Sequence, residues 1–368
     1  MILGVLKDAD DRVALTPDIV QKLTDVHQVF IESDAGADAF FTNTLYTEAG
    51  ATIALAEEVV QKASLLICIK PPSETIYQNL SPSSVVISSF QPFNQPEIID
   101  ELSKYPLTAF SMDMLPRTTL AQDKDVLSSM ASMAGYRAVL EAATHLPRYF
   151  PMLTTAAGSI PPAKVLILGA GVAGLQAIAT AKRLGAVVEV FDTRLAVKEE
   201  VKSLGAKFVE VEGAKDDKAA GGYAVEQSEE YKQRQQALIV EKSEKADVII
   251  TTALLRGKKS PILITKETVE AMKPGSVIVD LAASGGGNCD LTQDNQTIIH
   301  RGITIIGDSS LEAKMPMHAS QLYAKNIFNF LKILTKDGEL NLDFDNPLID
   351  GACIVHQGQP HHQAPQKT

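Results

Sequence analysis

Lys164-Val165-Leu166-Ile167-Leu168-Gly169-Ala170-Gly171-Val172-Ala173-Gly174 is the stretch that decides the fold. Its first five residues, mostly apolar, read as a buried strand, and the GxGxxG run behind them opens an apolar helix over Leu175–Leu184. In that setting each glycine has its own reason. Gly169 permits the tight turn, Gly171 lets a pyrophosphate approach the backbone, and Gly174 allows close helix–strand packing. The helix N-terminus, with Val172 and Ala173 in its first turn, then faces the anion. A second strand over Val187–Phe191 ends at Asp192, 23 residues after Gly169. A carboxylate there accepts hydrogen bonds from both adenosine ribose hydroxyls and repels a 2′-phosphate, which favours NAD(H) over NADP(H). Thr193 lies in the same turn, while Arg194 beside it weakens that preference. A glycine-rich turn with no ligand is the competing reading.

Outward from this turn the chain continues as α/β. A helix over Val197–Ser203 and a strand over Lys207–Val211 come next, and strands resume at Val248–Thr252, Val277–Asp280 and Ile303–Ile306. Thr252-Ala253-Leu254 and Asp280-Leu281-Ala282 follow strands, so both belong at carboxyl ends of the sheet beside the ligand. Gly285-Gly286-Gly287-Asn288 brings backbone close to a nicotinamide ribose, or else is only a flexible turn. The polar segment 212–243, containing Gly221-Gly222, is too long for an ordinary connection. It reads as a mobile functional loop with a helix near Glu229–Val240.

Toward the N-terminus, strands at Met1–Leu6, Val29–Glu32, Leu65–Ile69, Val85–Ser88 and Thr108–Phe110 alternate with helices at Thr16–Leu23, Ala54–Lys62 and Gln95–Leu102. Such alternation predicts a parallel sheet covered on both faces. Residues 125–149 read as one helix or two joining two domains, and Gln321–Leu334 as a helix returning to the first. The tail from Gln357, with His361-His362, reads as disordered, and a histidine pair without companion ligands gives no metal site. The fold class expected is α/β: two Rossmann-like domains with parallel sheets separated by a cleft. The first comprises residues 1–135 and 309–368, the second 136–308.

Composition narrows the function. The 368 residues carry a formal charge of −11, a poor match for nucleic acid. Hydrophobic residues make up 45% and charged residues 21%, yet no apolar run reaches the roughly 18 residues needed to cross a bilayer. The apolar N-terminus meets Lys7 and Asp8 too early for a signal peptide. Cys68, Cys289 and Cys353 show no paired spacing, so a disulfide framework is excluded. A cytoplasmic protein is expected.

Three further segments complete a series with the glycine turn. Pro116-Arg117-Thr-Thr-Leu-Ala-Gln122-Asp-Lys-Asp125-Val-Leu-Ser128-Ser129 is followed by Ala134-Gly135-Tyr136-Arg137-Ala138 and Thr154-Thr155-Ala156-Ala157-Gly158. With Gly169–Gly174 and Gly285–Cys289, this series resembles the NAD(H)-binding component, domain I, of proton-translocating transhydrogenases, within the alanine dehydrogenase/transhydrogenase superfamily. The resemblance covers essentially the whole chain, and its Arg-x4-Gln-x2-Asp-x2-Ser pattern is more specific than the dinucleotide motif.

The resemblance implies that hydride passes directly between NAD(H) on this chain and NADP(H) on a partner domain, coupled to proton movement through a membrane-spanning subunit. It implies that Arg117, Gln122, Asp125 and Ser128 line the nicotinamide. Two nicotinamides exchanging hydride need orienting groups rather than a proton donor. Arg117 would pair with Asp125, and Tyr223, in Gly221-Gly222-Tyr223-Ala224, would stack on or bond the adenosine from a closing loop. A homodimer, held by its partners on the cytoplasmic face of the inner membrane, completes the implied picture. A polar loop leading into a capped helix is the plainer reading of residues 117–128.

Two rivals stand. Alanine dehydrogenases place an acid–base histidine just after the strand equivalent to Val85–Ser88, but this chain reads Phe90-Gln91-Pro92-Phe93 there. No histidine lies between His27 and His145. Arg12 and Lys70 occupy positions where those enzymes hold a substrate carboxylate, and a vestigial or structural role is expected for them here. A non-catalytic NAD(H)-binding module is the second rival, because only one dinucleotide fingerprint is present.

Overall fold

The apolar runs of the first 111 residues form six parallel strands: β1 (Ile2–Val5), β2 (Gln28–Glu32), β3 (Thr52–Ala54), β4 (Leu65–Ile67), β5 (Val85–Ser88) and β6 (Thr108–Ser111). An exposed antiparallel hairpin, β7 (Leu153–Thr155) and β8 (Gly158–Ile160), precedes the second series. That series is β9 (Lys164–Leu168), β10 (Val187–Phe191), β11 (Lys207–Phe208), β12 (Val248–Thr251), β13 (Val277–Asp280), β14 (Thr297–His300) and β15 (Ile303–Ile306). Four short strands close the chain: β16 (Thr335–Lys336), β17 (Glu339–Leu340), β18 (Cys353–His356) and β19 (Gln359–Pro360). The computed structural model describes residues 1–211, 228–254 and 257–362.

The chain divides into two units, Met1–Met130 with Glu312–Thr368, and Ala131–Leu311. In the first the sheet order is β19-β18-β6-β5-β4-β1-β2-β3, and in the second β11-β10-β9-β12-β13-β15-β14. Strands β4, β5, β6, β12 and β13 are buried at every residue, as expected of parallel strands covered on both faces. Only the edges depart from parallel: β14 runs antiparallel to β15, and β18 antiparallel to β6.

Several expectations need correction. Residues 125–149 give a single helix, Val126–His145. The strand expected over Lys207–Val211 stops at Phe208. The tail from Gln357 is ordered through His362: β19 folds back on β18, and the His361 amide donates to Ile354 O at 3.0 Å. Its polar composition hid this, because the order comes from pairing with a strand edge rather than from a local apolar period.

Candidate functional site

In an open parallel sheet, ligands bind beyond the carboxyl ends of the strands where the strand order reverses. In the second unit β9 lies between β10 and β12, and Leu168 is in register with Thr251. The turn leaving β9 is Gly169–Gly174, and the three glycines are required for three different reasons. Gly169 has φ +108°, and an added Cβ would lie 2.3 Å from Thr252 Oγ1. At Gly174 it would lie 1.9 Å from Gly169 O, so the turn and the helix Val172–Arg183 touch backbone to backbone. At Gly171, the N-cap, it meets nothing within 4 Å, and the backbone there is extended (φ −78°). The protein's own packing therefore does not demand glycine at 171, whereas a pyrophosphate against the backbone does. No side chain caps this helix. The first-turn amides of Val172 and Ala173 have no intrahelical acceptor and face that open side.

Asp192, at the end of β10, is buried and ties the turn in place. Its Oδ2 accepts from the Ala170 amide at 2.7 Å. Arg194 closes on the same carboxylate: its amide and Nε donate to Oδ1 at 2.8 and 2.9 Å, and Nη2 to Oδ2 at 2.8 Å. Thr193 sits between them.

The facing wall comes from β12 and β13. Thr252 Oγ1 donates to Gly169 O at 3.2 Å, which fixes the glycine turn from across the sheet. Ala253 is half-buried, and Leu254 and Gly286 are exposed. Asn288 is fully buried, with its amide committed: Oδ1 accepts from Ala253 N, and Nδ2 donates to Ala253 O and Pro261 O. It therefore sits behind the loops, clasping them, rather than on the surface a ligand would touch. The residue that organises this corner is Asp280. Fully buried, it accepts from Thr251 Oγ1, Ala282 N, Asn288 N, Cys289 N and Thr292 Oγ1. Burial beside it pushes the Cys289 thiol up to about 11, so that cysteine stays protonated.

Gly135 has a role that the sequence reading did not assign. A Cβ there would come within 2.1 Å of Ala173 O, so the helix Val126–His145 crosses the glycine-turn helix at backbone contact. The signal available was a glycine inside an otherwise helical run. Tyr223 and the loop reading around it lie outside the described residues.

In the first unit, Arg117 and Gln122 are exposed on the turn around the short 3-10 helix Thr119–Lys124. Asp125 precedes the helix Val126–His145, accepting from the Ser128 amide at 2.9 Å and from Ser128 Oγ at 2.6 Å. That is an N-cap, so Asp125 and Ser128 form one rigid pair. Asn326 and Asn329 hold the segment from behind, both donating to Asp123 O.

The strand order of this unit also reverses, between β1 and β4, and there the crevice is filled by the protein's own charges. Asp10 accepts from Arg12 Nε at 2.9 Å, Arg12 Nη2 at 2.7 Å and the Arg12 amide at 3.0 Å, and lies 3.0 Å from Lys70 Nζ. Glu312 takes Arg12 Nη1 at 3.3 Å, and Asp8 accepts the amides of Ile69 and Lys70. Burial alone would raise the Asp10 carboxyl, but the bonds from Arg12 and Lys70 outweigh it and hold the group well below the usual range. Arg12 and Lys70 thus already hold an internal carboxylate. Beyond Ser88, Gln91 takes a left-handed conformation (φ 54°) and its amide donates to Asp113 Oδ1.

A parallel sheet with GxGxxG at its switch point and an aspartate ending the next strand defines a dinucleotide-binding α/β protein. Residues 6–134 match the alanine dehydrogenase/PNT N-terminal domain and residues 138–363 the alanine dehydrogenase/PNT C-terminal domain. The chain belongs to the alanine dehydrogenase/PNT family.

Within that family it is more similar to the transhydrogenase chains compared than to the alanine dehydrogenases. An NAD(P) transhydrogenase subunit alpha chain of Rhodospirillum rubrum is 41% identical, over 97% of this chain and 96% of its own length. NAD(P) transhydrogenase subunit alpha of Haemophilus influenzae is also 41% identical, over 98% of this chain and 71% of its own. Alanine dehydrogenase 1 of Staphylococcus aureus reaches 28%, over 98% and 94%. Among solved structures, a transhydrogenase from Sinorhizobium meliloti matches with a TM-score of 0.90 at 38% identity, covering 98% of this chain and 100% of that one.

Proposed function

We propose that the chain is the NAD(H)-binding alpha-type subunit of a proton-translocating transhydrogenase. The observation that carries this reading is 41% identity to transhydrogenase alpha chains across nearly the full length, against 28% to an alanine dehydrogenase. The Gly169–Gly174 turn holds the pyrophosphate on backbone amides, and Asp192 meets the adenosine ribose. Leu254 and Gly286 present the outer surface of the site, with Thr252, Ala253 and Asn288 shaping it from behind.

Hydride leaves the dihydronicotinamide of NADH and enters the nicotinamide of NADP⁺ on a partner domain, giving NAD⁺ and NADPH. No proton is exchanged in that step, so the residues near the ring position it rather than titrate. Arg117 and Gln122, exposed and able to move, orient the ring and carboxamide. The capped Asp125–Ser128 pair supplies a fixed edge. Proton movement belongs to a membrane-spanning partner subunit, and the chain sits peripherally on the cytoplasmic face of the inner membrane. No helix of the described residues is long and apolar enough to cross a membrane. A homodimer fits the exposed apolar side chains around the β7–β8 hairpin, Tyr149, Met152 and Ile160, which light scattering would test.

The deciding experiment mixes this chain with an NADP(H)-binding transhydrogenase domain and follows NADH oxidation by NADP⁺. Transfer above the rate of either component alone is expected. Its absence, with NADH still bound, would sink the reading.

A further inference from the structure

Asp350, His361 and His362 bring three metal-ligating side chains to one edge of the first unit. Their donor atoms all lie within 4.8 Å of one another. Asp350 is on the short helix Pro347–Ala352, capped by Asn346. The histidines arrive from the other direction, on the segment that leaves β19 after it folds back on β18. The ring of His361 packs against Phe344 with centroids 4.5 Å apart, and its side chain is only 18% exposed. Backbone pairing and ring packing therefore fix the donors before any ion is considered.

Two imidazole nitrogens with one carboxylate suit late first-row dications such as Zn²⁺. Metal–ligand bonds of about 2.0–2.2 Å at near-tetrahedral angles set donors roughly 3.3–3.5 Å apart. His361 Nε2 lies 2.8 Å from Asp350 Oδ1, and His362 Nε2 lies 3.6 Å from Asp350 Oδ2, values that bracket this spacing. Both rings present Nε2, leaving each Nδ1 for an outer partner. Among the described residues, the ion-pair partners of Asp350 are these two imidazoles, with no lysine or arginine among them. We propose that Asp350, His361 and His362 form a structural site for Zn²⁺ or a similar dication, with water completing the shell. Binding pins the β18–β19 hairpin to the helix Pro347–Ala352.

The test uses the tag-free full chain, stripped with chelator, then titrated with Zn²⁺ by calorimetry and with Co²⁺ by visible absorption. One ion per chain is expected. His361→Gln, His362→Gln and Asp350→Asn should each weaken Zn²⁺ at least tenfold, while His318→Gln, on an exposed position elsewhere, should not. Zn²⁺ should raise the melting temperature of the parent and not of the three variants. Matching circular dichroism spectra establish that the variants are folded. The proposal is overturned if the parent binds no stoichiometric ion, or if the three variants bind as tightly as the parent. Loss of binding in His318→Gln alone would overturn it too, because the metal would then sit elsewhere.

Discussion

Arg194 clasps the Asp192 carboxylate with its backbone amide, its Nε and its Nη2, all within 2.9 Å. With the Ala170 amide on Oδ2, the carboxylate accepts four hydrogen bonds, about its full capacity. Ribose hydroxyls can therefore reach Asp192 only by displacing part of the Arg194 fork. The same Asp-x-Arg clasp recurs at Asp10 and Arg12, at the reversal point of the other sheet. One clasp borders a glycine turn, and the other is locked by Lys70 and Glu312.

This arrangement predicts how cofactor choice can be changed. Asp192→Ser removes the charge that repels a 2′-phosphate and releases Arg194 toward it. The ratio of NADH to NADPH affinity should fall by at least about tenfold, or roughly 1.4 kcal/mol. Calorimetry with both nucleotides checks it, and an unchanged ratio would remove Asp192 from the selectivity role.

The glycines separate binding from folding. Gly171→Ala should leave stability within about 1 kcal/mol of the parent, because its Cβ meets nothing and its backbone is ordinary. NADH affinity should nevertheless drop by an order of magnitude or more, since the methyl group occupies the pyrophosphate approach. Gly174→Ala forces a contact of 1.9 Å on Gly169 O and should cost several kcal/mol in denaturant unfolding. Equal effects of the two variants on stability would refute the distinction.

Gln122→Asn shortens the reach of an exposed side chain by one methylene while keeping its amide. NADH affinity should change by less than about 1 kcal/mol. Hydride transfer to partner-bound NADP⁺ should slow on the order of 10²-fold if the ring is misplaced by roughly 1 Å. Single-turnover kinetics beside equilibrium binding provide the comparison. A common factor in both would make Gln122 a binding residue only.

The Asp10 cluster makes stability depend on acid. The folded-state carboxyl is held below its ordinary value of 3.8, so its contribution is present above that value and is lost as pH falls toward the folded one. Burial raises Asp8 and Glu312, and their effect has the opposite sign: it is present at low pH and is lost as pH rises through their folded values. Asp10→Asn should flatten the loss of stability below about pH 4 in denaturant titrations. It should not by itself confer alanine oxidation, because Gln91 stands where a histidine would be needed; NADH production from alanine would contradict that.

Asp280 anchors five donors without exposure. Asp280→Asn turns one acceptor oxygen into a donor facing donors. A loss of about 3 kcal/mol or more in unfolding free energy is expected, with NADH binding weakened through the displaced Ala253 and Gly286 loops.

Much of this was written locally. The strand at Lys164–Leu168, the glycine turn behind it and Asp192 were legible because a strand period, positive-φ positions and a charge at a strand end are all encoded within about thirty residues. The parallel sheets followed from continuous apolar strands alternating with helices. What the tertiary structure alone decided concerns partners far apart in the chain. Asn288 reads as a ligand contact in the sequence, yet its amide is spent on Ala253 and Pro261. Arg12 and Lys70 read as a free basic pair, yet Asp10 and Glu312 occupy them. His361-His362 reads as a solvated tail, yet β18 captures β19 and sets the pair against Asp350. Local periodicity specifies backbone conformation and which face is buried. Whether a polar side chain meets a ligand or another part of the protein depends on chain closure over tens to hundreds of residues, which no local pattern records.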